Sequence, residues 1–273
     1  MDTIIAQHYN VQKVLSLVER TQSTTVHLKN FNNWIKTILI NNHTQPNDSV
    51  LDLCAGKGGD FLKWSKAKIG SLTHVDIAQQ SIQQAQARVP TPSFFPITFL
   101  VADCCQSLPL DAQYDLVSCQ FALHYAFETE SRMHAFFHNV RSRLKSGGHF
   151  IGTIPDANMI KKRLIAAEGL IFGNELYRIE FESDSSTQYR FSLRDAVEGC
   201  PEWLVDPAQL ERVGAEYGLT LLYLKSFSQY YQEHRFKYRY LLSRMNVFNR
   251  SGTLSNAEWE VVNLYLVFAF ELK

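Results

Sequence analysis

The chain has 273 residues, of which 45% are hydrophobic and 20% are charged, so it can bury a substantial core and is not intrinsically disordered. Its 27 basic and 27 acidic side chains balance, and overall charge therefore gives no argument for a nucleic-acid partner. We recognise no signal peptide, and no apolar run approaches the ~18 residues of a membrane helix, so we expect no membrane contact. The five cysteines have neither zinc-site nor redox-motif spacing, so we expect free thiols in a reducing compartment and no metal.

The first half of the chain has the pattern of a doubly wound α/β fold. Residues 1–27 have weak periodicity and are predicted to form an N-terminal arm, whereas apolar residues recur at helical spacing from Leu28 onward. Short apolar strands then alternate with helices, which predicts a mostly parallel, Rossmann-like sheet. The predicted strands are 50–54, 71–75, 97–102, 114–119 and 149–154, and the predicted helices are 60–68, 78–88 and 129–143.

The second half interrupts this alternation. A helical stretch from Asn158 to Ala167 and two strands near 176–181 and 188–193 are interpreted as a helical and β-hairpin insertion, residues 156–205. We expect one domain, with a cofactor-binding core at 28–155. The later predicted elements are a helix from Pro207 to Gly218, a strand at 219–224, a partly helical stretch at 226–248, and a last strand from Val261 to Phe270 with Tyr265 at its centre.

A glycine-rich turn joins the first predicted strand to the next helix. Gly56-Lys57-Gly58-Gly59 could begin a dinucleotide-binding motif, but Phe61 stands where that motif needs a small residue. Asp52, on the strand before the turn, would repel a pyrophosphate and could hold an ammonium group. Asp76 lies 20 residues after Gly56, where nucleotide-binding βαβ units place the acid that binds ribose hydroxyls. Together these features predict S-adenosyl-L-methionine as the ligand; the alternative is an ordinary turn with surface acids.

Ligands of such sheets bind at the carboxyl ends of the strands, and this rule adds Asp103, Gln120 and Pro155 as candidates. Asp103 could accept a hydrogen bond from an adenine amino group or form a turn. His124 and Tyr125 belong to an aromatic run after the fourth predicted strand. That run could form either a purine pocket or part of the core.

Glu202 lies between Pro201 and Trp203, an apolar setting in which an unpaired carboxylate is costly. Two adjacent N–H donors, such as N1 and N2 of guanine, would satisfy this carboxylate. A hydrogen bond from a backbone amide would also satisfy it, so the residue by itself supports both interpretations.

With these residues in place, the chain resembles the mRNA cap guanine-N7 methyltransferases of eukaryotes over nearly its whole length. The resemblance implies a class I fold and methyl transfer from S-adenosyl-L-methionine to N7 of the GpppN cap, by in-line attack without a general base. Cys54 and Cys105 depart from the family pattern, since a glycine and often an aromatic residue stand at these positions. The matching stretches are His8-Tyr9-Asn10, Asn30 to Lys36, Val50 to Asp60, Val75 to Ile77, Gln120-Phe121, His124 to Phe127, and Glu202.

The resemblance also implies a role for each matching residue. His124, Tyr125 and Glu202 would position the guanine, without acid–base chemistry. Lys57 and Arg88 would contact the cap phosphates or ribose. The implied cofactor site consists of Lys36, Asp52, Gly56, Asp76, Asp103 and Gln120. The implied cap site consists of Asn32, Lys57, Asp60, Arg88, His124, Tyr125, Pro155, Glu202 and Tyr265.

From the same resemblance we expect a monomer that acts in the nucleus on 5'-capped RNA, with the RNA capping machinery or RNA polymerase II as candidate partners. Two alternatives remain open. A class I methyltransferase for another RNA position or a small molecule would share the first half of the chain without needing Glu202, His124 and Tyr125 together. A non-catalytic cap-binding paralogue is supported by Cys54 alone.

Overall fold

In the computed structural model, which describes residues 23–273, helices and strands alternate through the first half of the chain as the sequence predicts. The helices of this half are α1 (Val26–His43), α2 (Phe61–Ala67), α3 (Gln79–Gln86), a 3₁₀ helix (Leu123–Glu128) and α4 (Glu130–Arg143). Its strands are β1 (Ser49–Leu53), β2 (Ser71–Asp76), β3 (Ile97–Val101), β4 (Tyr114–Gln120) and β5 (Leu144–Pro155).

The second half contributes a second set of strands and shorter helices. The helices are α5 (Ala157–Ala166), α6 (Pro207–Glu216), α7 (Phe227–His234), α8 (Arg239–Arg244) and α9 (Asn256–Val262). The strands are β6 (Ile171–Gly173), β7 (Tyr177–Phe181), β8 (Gln188–Leu193), β9 (Val197–Trp203), β10 (Leu219–Ser226) and β11 (Tyr265–Leu272).

Seven strands form the central sheet, in the order β10-β11-β5-β4-β1-β2-β3. The five strands from β3 to β5 run parallel to one another, whereas β11 is antiparallel to both of its neighbours. The strand order reverses between β1 and β4, and ligands of such sheets bind at the carboxyl ends beside that reversal. The predicted α/β fold class is confirmed.

The central strands are buried on both faces, which is why they read as continuous apolar runs. Val50 and Leu51 are fully buried, and because successive side chains of a strand point to opposite faces, they pack in separate clusters. Helix α1 buries Trp34 in the cluster of Val50, and α4 buries Phe136 in the cluster of Leu51. The two layers of helices thus hold the strand ends rigidly where the site forms.

The hairpin predicted at 176–193 is present, but the sheet that contains it is larger than predicted. The hairpin is the middle of a four-stranded antiparallel sheet, β6-β7-β8-β9. Strand β6 has three residues, and β9 contains Gly199 and Pro201, which are poor strand formers, so neither gave a pattern. This matters for function because Glu202 lies on β9.

The last strand was also predicted wrongly. Val261 and Val262 end α9, which begins with a capping box at Ser255, and β11 starts at Tyr265. Tyr265 is therefore the first residue of the strand, not its centre. An apolar run without periodicity does not distinguish the end of a helix from a strand. Strand β5 likewise begins at Leu144, earlier than the predicted 149.

The predicted N-terminal arm is described only in part. Residues 1–22, including His8-Tyr9-Asn10, lie outside the described residues, and α1 already begins at Val26. None of the helices in residues 23–273 combines the length and the hydropathy that crossing a bilayer requires.

Candidate functional site

A cavity of about 320 Å³ opens at the carboxyl ends of the parallel strands, a size typical of small-molecule sites. All six residues predicted to hold the cofactor line it, as do four that were predicted for the cap. The six are Lys36, Asp52, Gly56, Asp76, Asp103 and Gln120, and the four are Lys57, Asp60, Arg88 and Tyr125.

The glycine turn forms the floor of this cavity. Gly56 and Gly58 have φ angles of 60° and 73°, which favour glycine, and a Cβ atom at Gly56 or Gly59 would meet nothing within 4 Å. Asp76 fixes the turn, because its two carboxylate oxygens accept hydrogen bonds from the backbone N–H groups of Gly56 and Ala78, both at 2.8 Å. The turn therefore leaves open space beside an acid.

Ion pairs surround the end of the cavity near α1. The carboxylate of Asp60 lies between Lys36 Nζ, at 2.7 Å, and Lys63 Nζ, at 2.6 Å. Burial alone would raise the pKa of Asp60, but these two ammonium groups outweigh it and hold that pKa well below its usual range. Lys63 also donates to Asn33 Oδ1. Lys63 was not predicted as a site residue, although it lies on the same turn of helix as Asp60.

Asp52 differs from Asp60 in its surroundings. Its carboxylate accepts a hydrogen bond from Trp64 Nε1 at 3.3 Å and is 3% exposed. Burial and the neighbouring Asp60 raise the pKa of Asp52 to about 7. Within residues 23–273 it makes no salt bridge, so it is an acid that a cation in the cavity would ionise.

At the opposite end, Asp103 pairs with Arg132, a residue of α4 that was likewise not predicted for the site. Arg132 Nη1 lies 3.0 Å from Asp103 Oδ2, and the other oxygen accepts from the backbone N–H of Cys105. Arg132 also contacts Glu128. No sequence pattern joins Arg132 to Asp103, because the contact depends on how α4 packs.

A second group of polar side chains adjoins the cavity. Glu202, which is 6% exposed, accepts a hydrogen bond from the hydroxyl of Tyr189 at 2.7 Å, and its other oxygen lies 3.6 Å from His124 Nε2. The His124 and Tyr125 rings are 4.2 Å apart at their centroids, and Tyr125 contacts Cys200 Sγ. Because Tyr125 also lines the cavity, the group that contains Glu202 borders the cavity of the glycine turn through this residue.

An aromatic group closes the side of the cleft next to β11. Phe121 lines the cavity and packs edge-on against Tyr265 and Phe227, at centroid distances of 5.1 and 5.8 Å. Pro155 pairs with Tyr265 across β5 and β11. The structure thus brings the predicted Pro155 and Tyr265 to the same edge as the cavity, although neither lines it.

Two predicted cap residues form the cavity rim, and a third lies on α1. Arg88 Nη1 donates to the carbonyl oxygen of Lys57 at 2.6 Å. Asn32 stands one helical turn before Lys36, and its Oδ1 is buried without a hydrogen-bond partner. Within residues 23–273, no group of His, Cys, Asp and Glu side chains could hold a metal ion.

The polar groups that line the cavity fit S-adenosyl-L-methionine. The cavity has a largely apolar wall, acids near both ends and a buried Gln120 Oε1 without a hydrogen-bond partner. Gly56 and Gly59 leave room where a ligand would touch backbone. A ligand with an ammonium group, ribose hydroxyls and an adenine amino group offers the donors that these acceptors need.

Comparison with known sequences decides the family. All 273 residues match the sequence model of the mRNA (guanine-N(7))-methyltransferase domain. The chain belongs to this family. It is 40% identical to "mRNA cap guanine-N(7) methyltransferase 1" of Oryza sativa subsp. japonica, over 97% of this chain and 79% of that protein. It is 36% identical to "mRNA cap guanine-N(7) methyltransferase" of Drosophila melanogaster, over 98% of this chain and 76% of that protein.

Solved structures support the fold of this family member. An S-adenosylmethionine-dependent methyltransferase from Clostridium acetobutylicum covers 90% of this chain and 92% of its own, with a TM-score of 0.56 at 16% identity. The protein PH0226 from Pyrococcus horikoshii gives a TM-score of 0.56 at 15% identity, over 95% and 100% of the two chains. The resemblance inferred from sequence is therefore confirmed for both family and fold.

Proposed function

We propose that this chain transfers the methyl group of S-adenosyl-L-methionine to N7 of the guanosine that caps mRNA (GpppN). The observation that carries the proposal is the position of Glu202: a buried carboxylate in a polar group that borders the cavity of the glycine turn through Tyr125. Neither pocket alone would specify this reaction, because one suits a sulfonium cofactor and the other suits a purine.

Glu202 would read the guanine edge. Its two oxygens can accept from N1–H and from the N2 amino group, and the Tyr189 hydroxyl leaves further lone pairs available on the carboxylate. The rings of His124 and Tyr125 provide the surface on which the base would lie, and base–aromatic stacking contributes about 1–3 kcal/mol. Tyr265 would cover the site from the β11 edge.

Catalysis would consist of alignment. When bound, S-adenosyl-L-methionine supplies a methyl group on a sulfonium, which guanine N7 can attack directly because its lone pair is free at neutral pH. No proton leaves N7, so His124 and Glu202 need not act as base or acid. Holding the two reactants in line can lower the barrier by about 7–11 kcal/mol. Glu202 would bind more strongly as positive charge develops on the purine.

The remaining predicted residues receive roles in binding. We propose that Asp52 and Lys36 hold the methionine end, that Asp76 accepts from the ribose hydroxyls, and that Asp103 accepts from adenine, with Gln120 at the same wall. This assignment is supported by their common position on one cavity. For the cap phosphates and ribose we propose Lys57 and Arg88, with Asn32, Asp60 and Pro155 bordering them.

From its family membership we also propose a nuclear monomer that meets the RNA capping machinery or RNA polymerase II. The proposed domain layout is one domain, with the cofactor core at 28–155 and residues 156–205 completing the cap pocket. It is supported by the location of Glu202 on β9. Cell fractionation, light scattering and a test for one cooperative unfolding transition would check these points.

One assay tests the reaction. The protein is incubated with labelled S-adenosyl-L-methionine and with GpppG- or GpppA-ended RNA, and the digested product is analysed for 7-methylguanosine. Label in 7-methylguanosine supports the proposal. Label at another position would indicate a different RNA methyltransferase, and cap binding without transfer would indicate a non-catalytic paralogue.

A further inference from the structure

The segment that joins α7 to α9 is strongly basic in a chain with no net charge. Residues 234–257 contain five Arg or Lys residues and no Asp or Glu. The five are Arg235, Lys237, Arg239, Arg244 and Arg250, and none of them forms a salt bridge within the described part of the chain. Five cations without an acid in this stretch leave its positive charge uncompensated locally, which favours an anionic partner.

Aromatic rings alternate with these cations and face solvent. Phe236 is 74% exposed and Tyr240 is 60% exposed, so neither ring belongs to the core. The Arg235 guanidinium lies 4.7 Å from the centroid of the Phe236 ring, and Lys237 Nζ lies 4.9 Å from that of Tyr238. Residues 235–244, which we call the basic aromatic segment, thus present rings and cations on one short stretch of surface.

The basic aromatic segment is anchored to the core, although Phe236 and Tyr240 are exposed. Tyr238 donates from its hydroxyl to Asn42 Oδ1 at 2.9 Å, and its carbonyl oxygen accepts from Trp34 Nε1. Both contacts are with α1, which also carries Lys36 to the cofactor cavity. Leu241 is buried beneath the segment. An exposed ring on a fixed backbone loses little entropy when a base stacks on it.

The segment begins a short distance from the cap pocket. Phe227, the first residue of α7, packs against Phe121 and near Tyr265. Helix α7 has eight residues and is therefore about 12 Å long, and the basic aromatic segment follows its end. A few nucleotides of single-stranded RNA could extend along α7, from the aromatic group of Phe121, Phe227 and Tyr265 to the basic aromatic segment.

We propose that the basic aromatic segment binds the single-stranded RNA body that follows the cap. Cations would contact the phosphates, while Phe236 and Tyr240 would stack on bases without selecting a sequence. The cations would also attract an acidic polypeptide, but its carboxylates would not stack on the two exposed rings. This inference rests on the proposed function for its substrate, but its own test includes RNA without a cap.

The test compares two double variants with wild type. One is Phe236→Ala with Tyr240→Ala, and the other is Lys237→Ala with Arg239→Ala. A matched control, Phe94→Ala with Arg212→Ala, removes an exposed ring and an exposed cation from elsewhere on the surface. Each protein is assayed for methylation of the dinucleotide GpppG and of a capped single strand of ~20 nucleotides, longer than the ~4–16 nucleotides that comparable single-strand sites cover.

The expected result is a change for the long substrate only. Loss of the two rings should raise the KM for the capped strand at least about 5-fold, because one stacked base contributes that much or more. Loss of Lys237 and Arg239 should reduce the slope of log affinity against log salt by about 1.4, at about 0.7 for each phosphate contact. The KM for GpppG should stay unchanged in every variant.

Several outcomes would overturn the inference. Equal shifts for GpppG and the capped strand would mean that the cap pocket itself was disturbed. An unchanged KM for the capped strand in both double variants would mean that the segment does not contact RNA. If wild type binds poly-glutamate and the double variants do not, the segment would be assigned to an acidic protein instead. If wild type methylates neither substrate, the proposed function fails, and fluorescence anisotropy with an uncapped strand still decides whether the segment binds RNA.

Discussion

Replacing Glu202 by Gln tests the purine pocket most directly. The amide has nearly the shape of the carboxylate but only one acceptor oxygen, and Tyr189 already donates to that side chain at 2.7 Å. One charge-assisted hydrogen bond to guanine is lost, about 1.5–3 kcal/mol, and an N–H donor then faces the guanine N–H, about 1–3 kcal/mol more. The combined loss is at least about 2.5 kcal/mol, which corresponds to a fall of at least about 70-fold in kcat/KM.

The assay follows methyl transfer to GpppG-capped RNA and, separately, the calorimetric Kd for S-adenosyl-L-methionine. Because Glu202 does not line the cofactor cavity, that Kd should stay within experimental error. Glu198→Gln is the control, since Glu198 is an exposed carboxylate on the same strand. A fall in kcat/KM of less than about 10-fold, or an equal loss of cofactor affinity, would refute the assigned role.

Three further predictions concern the cofactor cavity and the stability of the sheet. Asp52, whose pKa is raised to about 7, must ionise to hold an ammonium group, so calorimetry should show the Kd for S-adenosyl-L-methionine rising as pH falls below 7, by about 10-fold per unit, and Asp52→Asn should abolish this dependence. Cys54 lines the cavity at a φ of 53°, so Cys54→Gly should lower that Kd and change the free energy of unfolding by less than about 1 kcal/mol, because relief of strain offsets the added chain entropy. Burial and His149 lower the pKa of His43 from 6.5 to about 4, so between these pH values the folded state binds fewer protons than the unfolded state. Denaturant titrations should therefore show the free energy of unfolding falling by up to about 3 kcal/mol as pH drops from 6.5 to 4, and falling less in His43→Phe.

The common position of the proposed cofactor-binding residues could be predicted because the geometry of this part of the site is encoded locally. Asp52, Gly56 and Asp76 occupy fixed positions on a strand–turn–helix–strand unit, and parallel strands bring their carboxyl ends together. A correct alternation of strands and helices was therefore enough to bring these residues together, even though several boundaries were wrong, by five residues at the start of β5.

The partners of these residues could not be predicted, because they depend on packing between distant segments. Arg132 reaches Asp103 across 29 positions, through the placement of α4. Tyr189 reaches Glu202 because the two residues pair in register on β8 and β9, and β9 was not recognised as a strand. A pattern in one stretch of sequence carries no information on such contacts until the second sheet is known.

The distribution of charge in the cavity gives an argument for the ligand that is independent of the glycine turn. Asp60 is neutralised by two lysines and Asp103 by an arginine. Within residues 23–273, Asp52 and Asp76 have no such cation and are held by hydrogen bonds alone. Asp52 precedes the turn, where its carboxylate would repel the pyrophosphate of a dinucleotide and attract an ammonium or sulfonium group, whereas Asp76 suits the ribose hydroxyls of either ligand. Phe61 disfavours the dinucleotide on steric grounds, and Asp52 disfavours it on electrostatic grounds.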